Sequence, residues 1–352
     1  MSWIRPVLLR PRAGLLIVFA ASIPVGAQIR KWTSPAESES SSLNPHTFTP
    51  YTIVSKEPVS STSSIFTLRH NTARAEPDDL KDVWKKAVWS IQVKQPQLQI
   101  ARAYTPLPPT TPAGSETEDD YGNLRLLIRK EHNGEVSTFL HRLPEGSAVE
   151  IRGPNIELEI PDDVREVVFL AGGTGIAPAM QVAHALAARP ETRMHILWAS
   201  RRKEDCMGAK SDSSDVIKPG RLSGWRSLFG LEEPVVIEDY RGEDTQPGRI
   251  VRELEALREQ SKSSSGNGLS VDYFVDEEKS FIKPGHVSKL LQPATLQPRS
   301  LKGTRLLLVS GPEGFIEYWA GRKLWADGRE VQGPLGGVLS QLDLKGWRVW
   351  KL

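Results

Sequence analysis

Four short runs in this chain combine residue types able to grip phosphate and a flat ring. In Gly172-Gly173-Thr174-Gly175-Ile176-Ala177-Pro178, three glycines follow the apolar stretch Val167 to Ala171. Glycine lets the backbone turn sharply and brings bare N–H groups close to a ligand. Residues Ala179 to Ala188 then adopt helical spacing, so a helix start would present unpaired N–H groups and the positive end of its dipole to an anion such as a pyrophosphate. Pro178 is tolerated near the first turn, where its missing N–H is not needed. The second run is Arg102-Ala103-Tyr104-Thr105-Pro106. A guanidinium offers a planar fork of donors to phosphate, tyrosine offers a flat face for stacking, and a threonine hydroxyl can exchange hydrogen bonds with a ring nitrogen. On a strand, alternate residues share a face, so Arg102 and Tyr104 would point together. The third run, Gly134-Glu135-Val136-Ser137, opens a short helix. Gly134 permits the turn, Ser137 can donate or cap, and the first N–H groups can face an anion. The fourth, Ser310-Gly311-Pro312-Glu313-Gly314-Phe315, follows the apolar strand Arg305 to Ser310. Alone, each run has a plain structural alternative: a tight strand-to-helix connection, a surface arginine on a sheet, or a capped helix.

These residues need elements to hold them. FTPYTIVSK from Phe48 and SSIFTLRH from Ser63 read as strands, as do Val88 to Val93, Leu98 to Arg102 and Leu124 to Lys130. A turn around Pro96, a short helix after Gly134 that ends at Leu143-Pro144-Glu145-Gly146, and a closing strand over Ala148 to Gly153 complete an antiparallel β barrel over residues 48–160. Residues 161–352 alternate strand and helix in the manner of an α/β doubly wound domain. Strands are expected at Val167 to Ala171, Met194 to Ser200, Pro234 to Tyr240, Asp272 to Val275 and Arg305 to Ser310. Helices are expected at Ala179 to Ala188, Arg249 to Gln260 and His286 to Leu291. Pro108 to Asp120 reads as an acidic, proline-rich loop, Glu204 to Gly224 as an insertion, and Ser261 to Gly268 as a turn.

Composition bounds the function. With 352 residues, 39% hydrophobic and 25% charged, the chain can build two domains with proper cores. A net charge of +2 gives no bulk electrostatic case for a nucleic-acid partner. The single cysteine, Cys206, excludes an internal disulfide and any multi-cysteine metal site. Residues 1–12 carry Arg5, Arg10 and Arg12, and no acid precedes Glu37, a composition that suits a mitochondrial presequence. Residues 13–29 are uncharged and mostly apolar, near the lower limit of the ~17–25 residues that a membrane helix needs, with Pro24 and Gly26 inside. They admit three readings: a single membrane anchor, a secretory signal cleaved after Val25-Gly26-Ala27, or part of a wholly removed targeting peptide. Residues 30–47 are Ser-rich and read as a flexible linker.

In order and approximate spacing, the runs resemble the motifs of the ferredoxin reductase superfamily, which includes NADH-cytochrome b5 reductase. The resemblance implies FAD and NAD(P)H as cofactors. It places Arg102 on the flavin pyrophosphate, Tyr104 on the isoalloxazine and Thr105 near its reactive nitrogen, with Gly134, Val136 and Ser137 as a second flavin signature. Gly173, Thr174, Gly175 and Pro178 would hold the nicotinamide dinucleotide, while Ser310, Gly311 and Pro312 would face the nicotinamide; Thr105 and Ser310 are the implied catalytic positions. Two residues depart from the pattern: Pro178 stands at the third glycine, and Ser310 stands where the superfamily has a cysteine. A hydroxyl is less polarisable than a thiol, so slower hydride transfer is expected. Trp347 and Trp350 lie near the C-terminus, where plant-type members end on a stacking aromatic, although core packing suits Trp350 better. Arg201, Arg202 and Lys203 could hold the 2′-phosphate of NADP or form a basic surface turn.

With its N-terminal segments, the chain further resembles a family of fungal mitochondrial flavoproteins that assist cytochrome c import and haem attachment. That implies an inner-membrane protein anchored through its N-terminal segment and facing the intermembrane space. It would be a reductase passing electrons to a haem acceptor, with cytochrome c or its haem-attachment machinery as partner. A general NADH-cytochrome b5 reductase and a non-enzymatic assembly factor that retains a flavin fold are the alternatives.

Overall fold

The computed structural model describes residues 43–71, 78–110, 123–189, 191–213, 246–265, 268–292, 303–326 and 328–352. The expected segments at 1–12, 13–29 and most of 30–47 lie outside the described residues, as do the strand at 234–240 and most of the loop at 108–120.

The first sheet contains β1 (Thr49–Pro58), β2 (Ser63–His70), β3 (Ala87–Gln95), β4 (Ile100–Tyr104), β5 (Pro106–Leu107), β6 (Asn123–Arg129) and β7 (Ala148–Glu159). Its order is β4-β3-β7-β1-β2-β6-β5, and every ladder is antiparallel. Period-two alternation turns Tyr51, Ile53, Phe66, Leu68, Leu124, Leu126 and Ile128 into one buried cluster. The edge strands β4 and β5 are joined by Thr105 alone. No hydrogen-bonded ladder joins them among the described residues, so it is the chain itself that makes the sheet curl until its edges approach. Strand β7 runs past the expected end at Gly153, because it pairs first with β1 and then with β3.

Helix α1 (Asp78–Lys86) was not legible as an element. It forms because Leu80 and Trp84 bury one face, with the Trp84 ring edge-on to Trp89 at 4.9 Å. Helix α2 (Glu135–Arg142) follows the turn at Gly134.

The second sheet is parallel. It contains β8 (Val164–Gly172), β9 (Arg193–Ser200), β10 (Leu269–Val275), β11 (Thr304–Ser310) and, after a hairpin of β12 (Leu324–Ala326) and β13 (Arg329–Val331), β14 (Trp347–Lys351). Its order is β10-β9-β8-β11-β14. The winding reverses between β8 and β11, so the crevice for a ligand opens at the carboxyl ends of those two strands, at Gly172 and Ser310. Helices α3 (Ile176–Ala187), α4 (Arg249–Ser265), α5 (Pro284–Leu291) and α6 (Glu313–Ala320) complete the domain. Helix α4 extends to Ser265, into the expected Ser-rich turn, and the Ser261 hydroxyl donates back to the Arg258 carbonyl at 2.8 Å.

The two sheets share one core. Ile65, Val88, Leu107 and Leu127 pack in the same cluster as Phe169, Val182 and Leu257. Across this seam Arg125 of β6 grips Glu253 of α4 with two bonds, at 2.7 and 2.9 Å, and Arg249 reaches the same carboxylate at 2.7 Å. Burial pushes the Glu253 carboxyl up, but the two guanidinium groups hold it below its usual range. Breaking a buried pair by removing one partner costs about 3–5 kcal/mol, and Glu253→Gln is expected to lose an amount of that order in urea unfolding at neutral pH. Because the folded pKa is depressed, this stability is present above the unfolded value of about 4.3 and disappears as pH falls through the folded one. The denaturation midpoints of parent and variant should therefore converge in acid.

Candidate functional site

The four runs converge on two adjoining cavities. The first, of about 310 Å³, is walled by Arg102, Tyr104 and Thr105 from the β4–β5 join, and by Gly134, Val136 and Ser137 from the start of α2. Its far wall is Thr174, Gly175 and Pro178 from the glycine loop, with Ser310 and Gly311 from the end of β11. The second, of about 840 Å³, is lined by Gly173, Thr174, Gly311 and Pro312, together with Ser200, Arg201, Phe281, Phe315 and Tyr318. Arg129, Glu131, Thr174 and Gly311 belong to both walls.

The glycine loop and the Ser310 turn fit together backbone to backbone. A Cβ on Gly175 would lie 2.6 Å from the Ser310 carbonyl carbon and 2.8 Å from the Gly311 nitrogen, so no larger residue fits there without movement. Gly173 has φ of 54°, the left-handed region that side chains rarely adopt. Its carbonyl accepts a hydrogen bond from the Trp198 indole at 3.0 Å, which pins the loop to β9. A 3-10 turn over Gly173–Gly175 leads directly into α3, so the helix begins at Ile176, ahead of the expected Ala179. Pro178 stands in the first turn of that helix, among positions whose N–H groups have no partner within it.

On the flavin-motif side, Arg102 is exposed. Among the described residues, its close polar contacts are a long bond to the Ala101 carbonyl at 3.4 Å and a 4.0 Å approach to Glu135. Tyr104 is half-buried, and burial pushes its phenol up to about 12, so the hydroxyl stays a neutral donor at physiological pH. Of the two roles open to Ser137, donating and capping, the structure shows the first: the cap position is Gly134, which has no side-chain cap bond. The Ser137 hydroxyl accepts from the Glu131 N–H and donates to the Gly134 carbonyl, both at 3.2 Å. Ser137 thus ties the turn that shapes the cavity. Val136 is buried and packs α2 on the sheet core.

Other candidates sort themselves by their contacts. Arg202 donates to Ser61 and Glu204, and Lys203 pairs with Glu278 at 2.7 Å, whereas Arg201 lines the larger cavity. The Trp350 indole donates to the Glu157 carbonyl at 3.1 Å and packs against the shared core, so Trp350 does not line either cavity. Sequence reasoning missed Arg129, Glu131, Trp198 and Gln181. Arg129 was partly accessible, since it ends the strand that leads into the Gly134 run; nothing local marks the other three.

This geometry fits two anionic, ring-bearing ligands in adjoining cavities. One cavity has a guanidinium and a tyrosine at its mouth. Both share a loop of close-approach glycines whose helix start favours phosphate. Residues 50–160 match the family described as oxidoreductase FAD-binding domain, and residues 169–226 match the oxidoreductase NAD-binding domain. The cytochrome c mitochondrial import factor CYC2 of Saccharomyces cerevisiae is 27% identical over 290 residues, covering 75% of this chain and 72% of its own. NADH-cytochrome b5 reductase 2 of Meyerozyma guilliermondii is 24% identical over 257 residues, covering 72% of this chain and 67% of its own. The solved structure of full-length CYP116B46 from Tepidiphilus thermophilus aligns with a TM-score of 0.52 at 14% identity. It covers 86% of this chain, which spans only 28% of that one, and the likeness is one of fold.

Gly175→Ala tests the backbone-to-backbone packing. Forcing a methyl group into a close-packed contact costs about 1–3 kcal/mol, so calorimetry should show a thermal midpoint lower by several degrees. Nucleotide affinity should fall with it, because the loop is pushed off the Ser310 turn.

Proposed function

We propose that this chain, an oxidoreductase that joins an FAD-binding domain to an NAD-binding domain, moves hydride from NAD(P)H to FAD and passes electrons on to a haem protein. The observation that carries this reading is the common wall of the two cavities, Arg129, Glu131, Thr174 and Gly311, which would bring the two ligands' rings together. When bound, FAD supplies a two-electron acceptor that can release its electrons singly.

The chain's residues supply grip, orientation and exclusion of water. Arg102 binds the flavin pyrophosphate, and its exposed guanidinium makes only long contacts among the described residues. Tyr104 packs the ring, and Thr105, at the join of the sheet's two edges, sets a hydroxyl beside it. Gly134, Val136 and Ser137 shape the turn under the flavin phosphates. Gly173, Thr174, Gly175 and Pro178 hold the dinucleotide at the start of α3. Gly311 and Pro312 face the nicotinamide, and the buried Ser310 stands at the carboxyl end of β11, beside the hydride path.

For the acceptor, the similarity to a cytochrome c import factor supports a role in haem attachment to, or import of, cytochrome c. The presequence-like composition of residues 1–12 and the apolar residues 13–29 support a mitochondrial inner-membrane location facing the intermembrane space. Among the described residues, no helix is long and apolar enough to cross a membrane, and residues 13–29 are not among them. Ser310 favours a second reading, an assembly factor that keeps flavin without fast turnover, because a serine hydroxyl polarises less than a thiol.

Anaerobic stopped-flow absorbance of the chain with FAD, mixed with NADH and then NADPH, separates these readings. Bleaching of the flavin band is expected and names the donor; a yellow protein that neither nucleotide bleaches favours the assembly factor. Arg102→Ala should weaken FAD binding on the order of tenfold to a hundredfold, since hydrogen bonds to charged groups contribute about 1.5–3 kcal/mol. Ser310→Cys should speed flavin reduction by up to about tenfold, equivalent to about 1.4 kcal/mol in barrier height.

A further inference from the structure

Gln181 lies on the second turn of α3, is fully buried, and spends its whole side chain on the other domain. Its amide oxygen accepts from the Trp89 N–H at 2.9 Å, and its amide nitrogen donates to the Trp89 carbonyl at 3.2 Å and the Pro106 carbonyl at 2.9 Å. The reason for this arrangement lies in the first sheet. The β3–β4 ladder runs from Gln95↔Ile100 to Ile91↔Tyr104, and there the chain leaves β3, passes Thr105 and joins β6 as β5. Trp89 lies beyond the end of that ladder. The Gln181 amide takes the place of the departed strand and fills the opening between β3 and β5.

One side chain therefore links the helix that begins at the glycine loop to the residue that follows Thr105. We propose that Gln181 is a positioning residue for hydride transfer, fixing the approach of the nicotinamide to the flavin ring without touching either; this rests on the reading given under Proposed function. The step it governs is the departure of a hydride, with both electrons, from the nicotinamide, which is oxidised, and its bonding to the flavin ring, which is reduced. Such transfers need reacting atoms about 3–3.5 Å apart, and a displacement of about 1 Å can cost roughly a hundredfold. A buried amide satisfied by three bonds is stiff in a way that apolar packing is not, because sliding would leave the Trp89 and Pro106 groups unpaired.

The test uses the whole chain with FAD and two variants. Gln181→Leu removes donor and acceptor. Gln181→Glu keeps the acceptor for Trp89 and can donate to Pro106 only when its carboxyl is protonated. The expected result is a limiting rate of flavin reduction by nucleotide lowered on the order of 10–100-fold in Q181L, with little change in the half-saturating nucleotide concentration. In Q181E the rate should recover as pH falls through the carboxyl pKa, a profile the parent lacks. Hydrogen exchange at the Trp89 amide, read without nucleotide, should be faster in Q181L and near the parent's in Q181E. Either variant reduced at the parent's rate at every pH overturns the proposal. If Q181L fails to bind FAD, Q181E decides: a pH-dependent recovery supports positioning, and a rate that stays low at all pH, with globally faster exchange, assigns Gln181 a structural role only and overturns it. A parent that neither nucleotide reduces overturns the proposed function and this inference together, whereas a reducible parent with unaffected variants overturns this inference alone.

Discussion

Because Thr105 alone separates β4 from β5, the end of one edge strand and the start of the other must meet. A residue spans at most about 3.6 Å of extended chain, so the sheet has no choice but to curl. The curl makes the pocket: it brings Arg102 and Tyr104 to the rim and places α2, with its Gly134 turn, beside them.

The same crossing leaves a flaw, because β3 loses its neighbour at Trp89. The second domain supplies the repair through Gln181, and around it Arg125 with Glu253 and the shared apolar cluster lock the two sheets into one body. Polar groups buried at such a seam contribute little when satisfied and cost much when not. The seam therefore fixes the relation of the domains more sharply than apolar area alone would. Two cavities with a common wall, on elements joined by this seam, are the arrangement that transfer between two bound rings requires.

The Ser310 turn, with Pro178, is one of the two places where this chain departs from the motifs it resembles. The backbone there is tightly constrained, with Gly175 packed against Gly311 across the switch point. A serine hydroxyl is less polarisable than a thiol, which is why the proposed hydride transfer is expected to be slow.

Much of this was written locally. The glycine loop, the Arg102–Thr105 run, the Gly134–Ser137 turn and the Ser310 turn were legible because spacing within a few residues fixes which atoms a strand or helix start can present. The strands were legible for the same reason, since alternation reports a buried face. The tertiary structure alone decided where those atoms meet and what else stands beside them. Arg129 joins both cavities because β6 ends beside the glycine loop; Ser137 ties a turn and caps nothing; Trp350 bonds to Glu157, far away along the chain. Gln181 looks like an ordinary helix residue until β3 and β5 part in front of it. Periodicity records the environment of a residue's own element, whereas the partner that satisfies a buried amide is set by how distant elements pack.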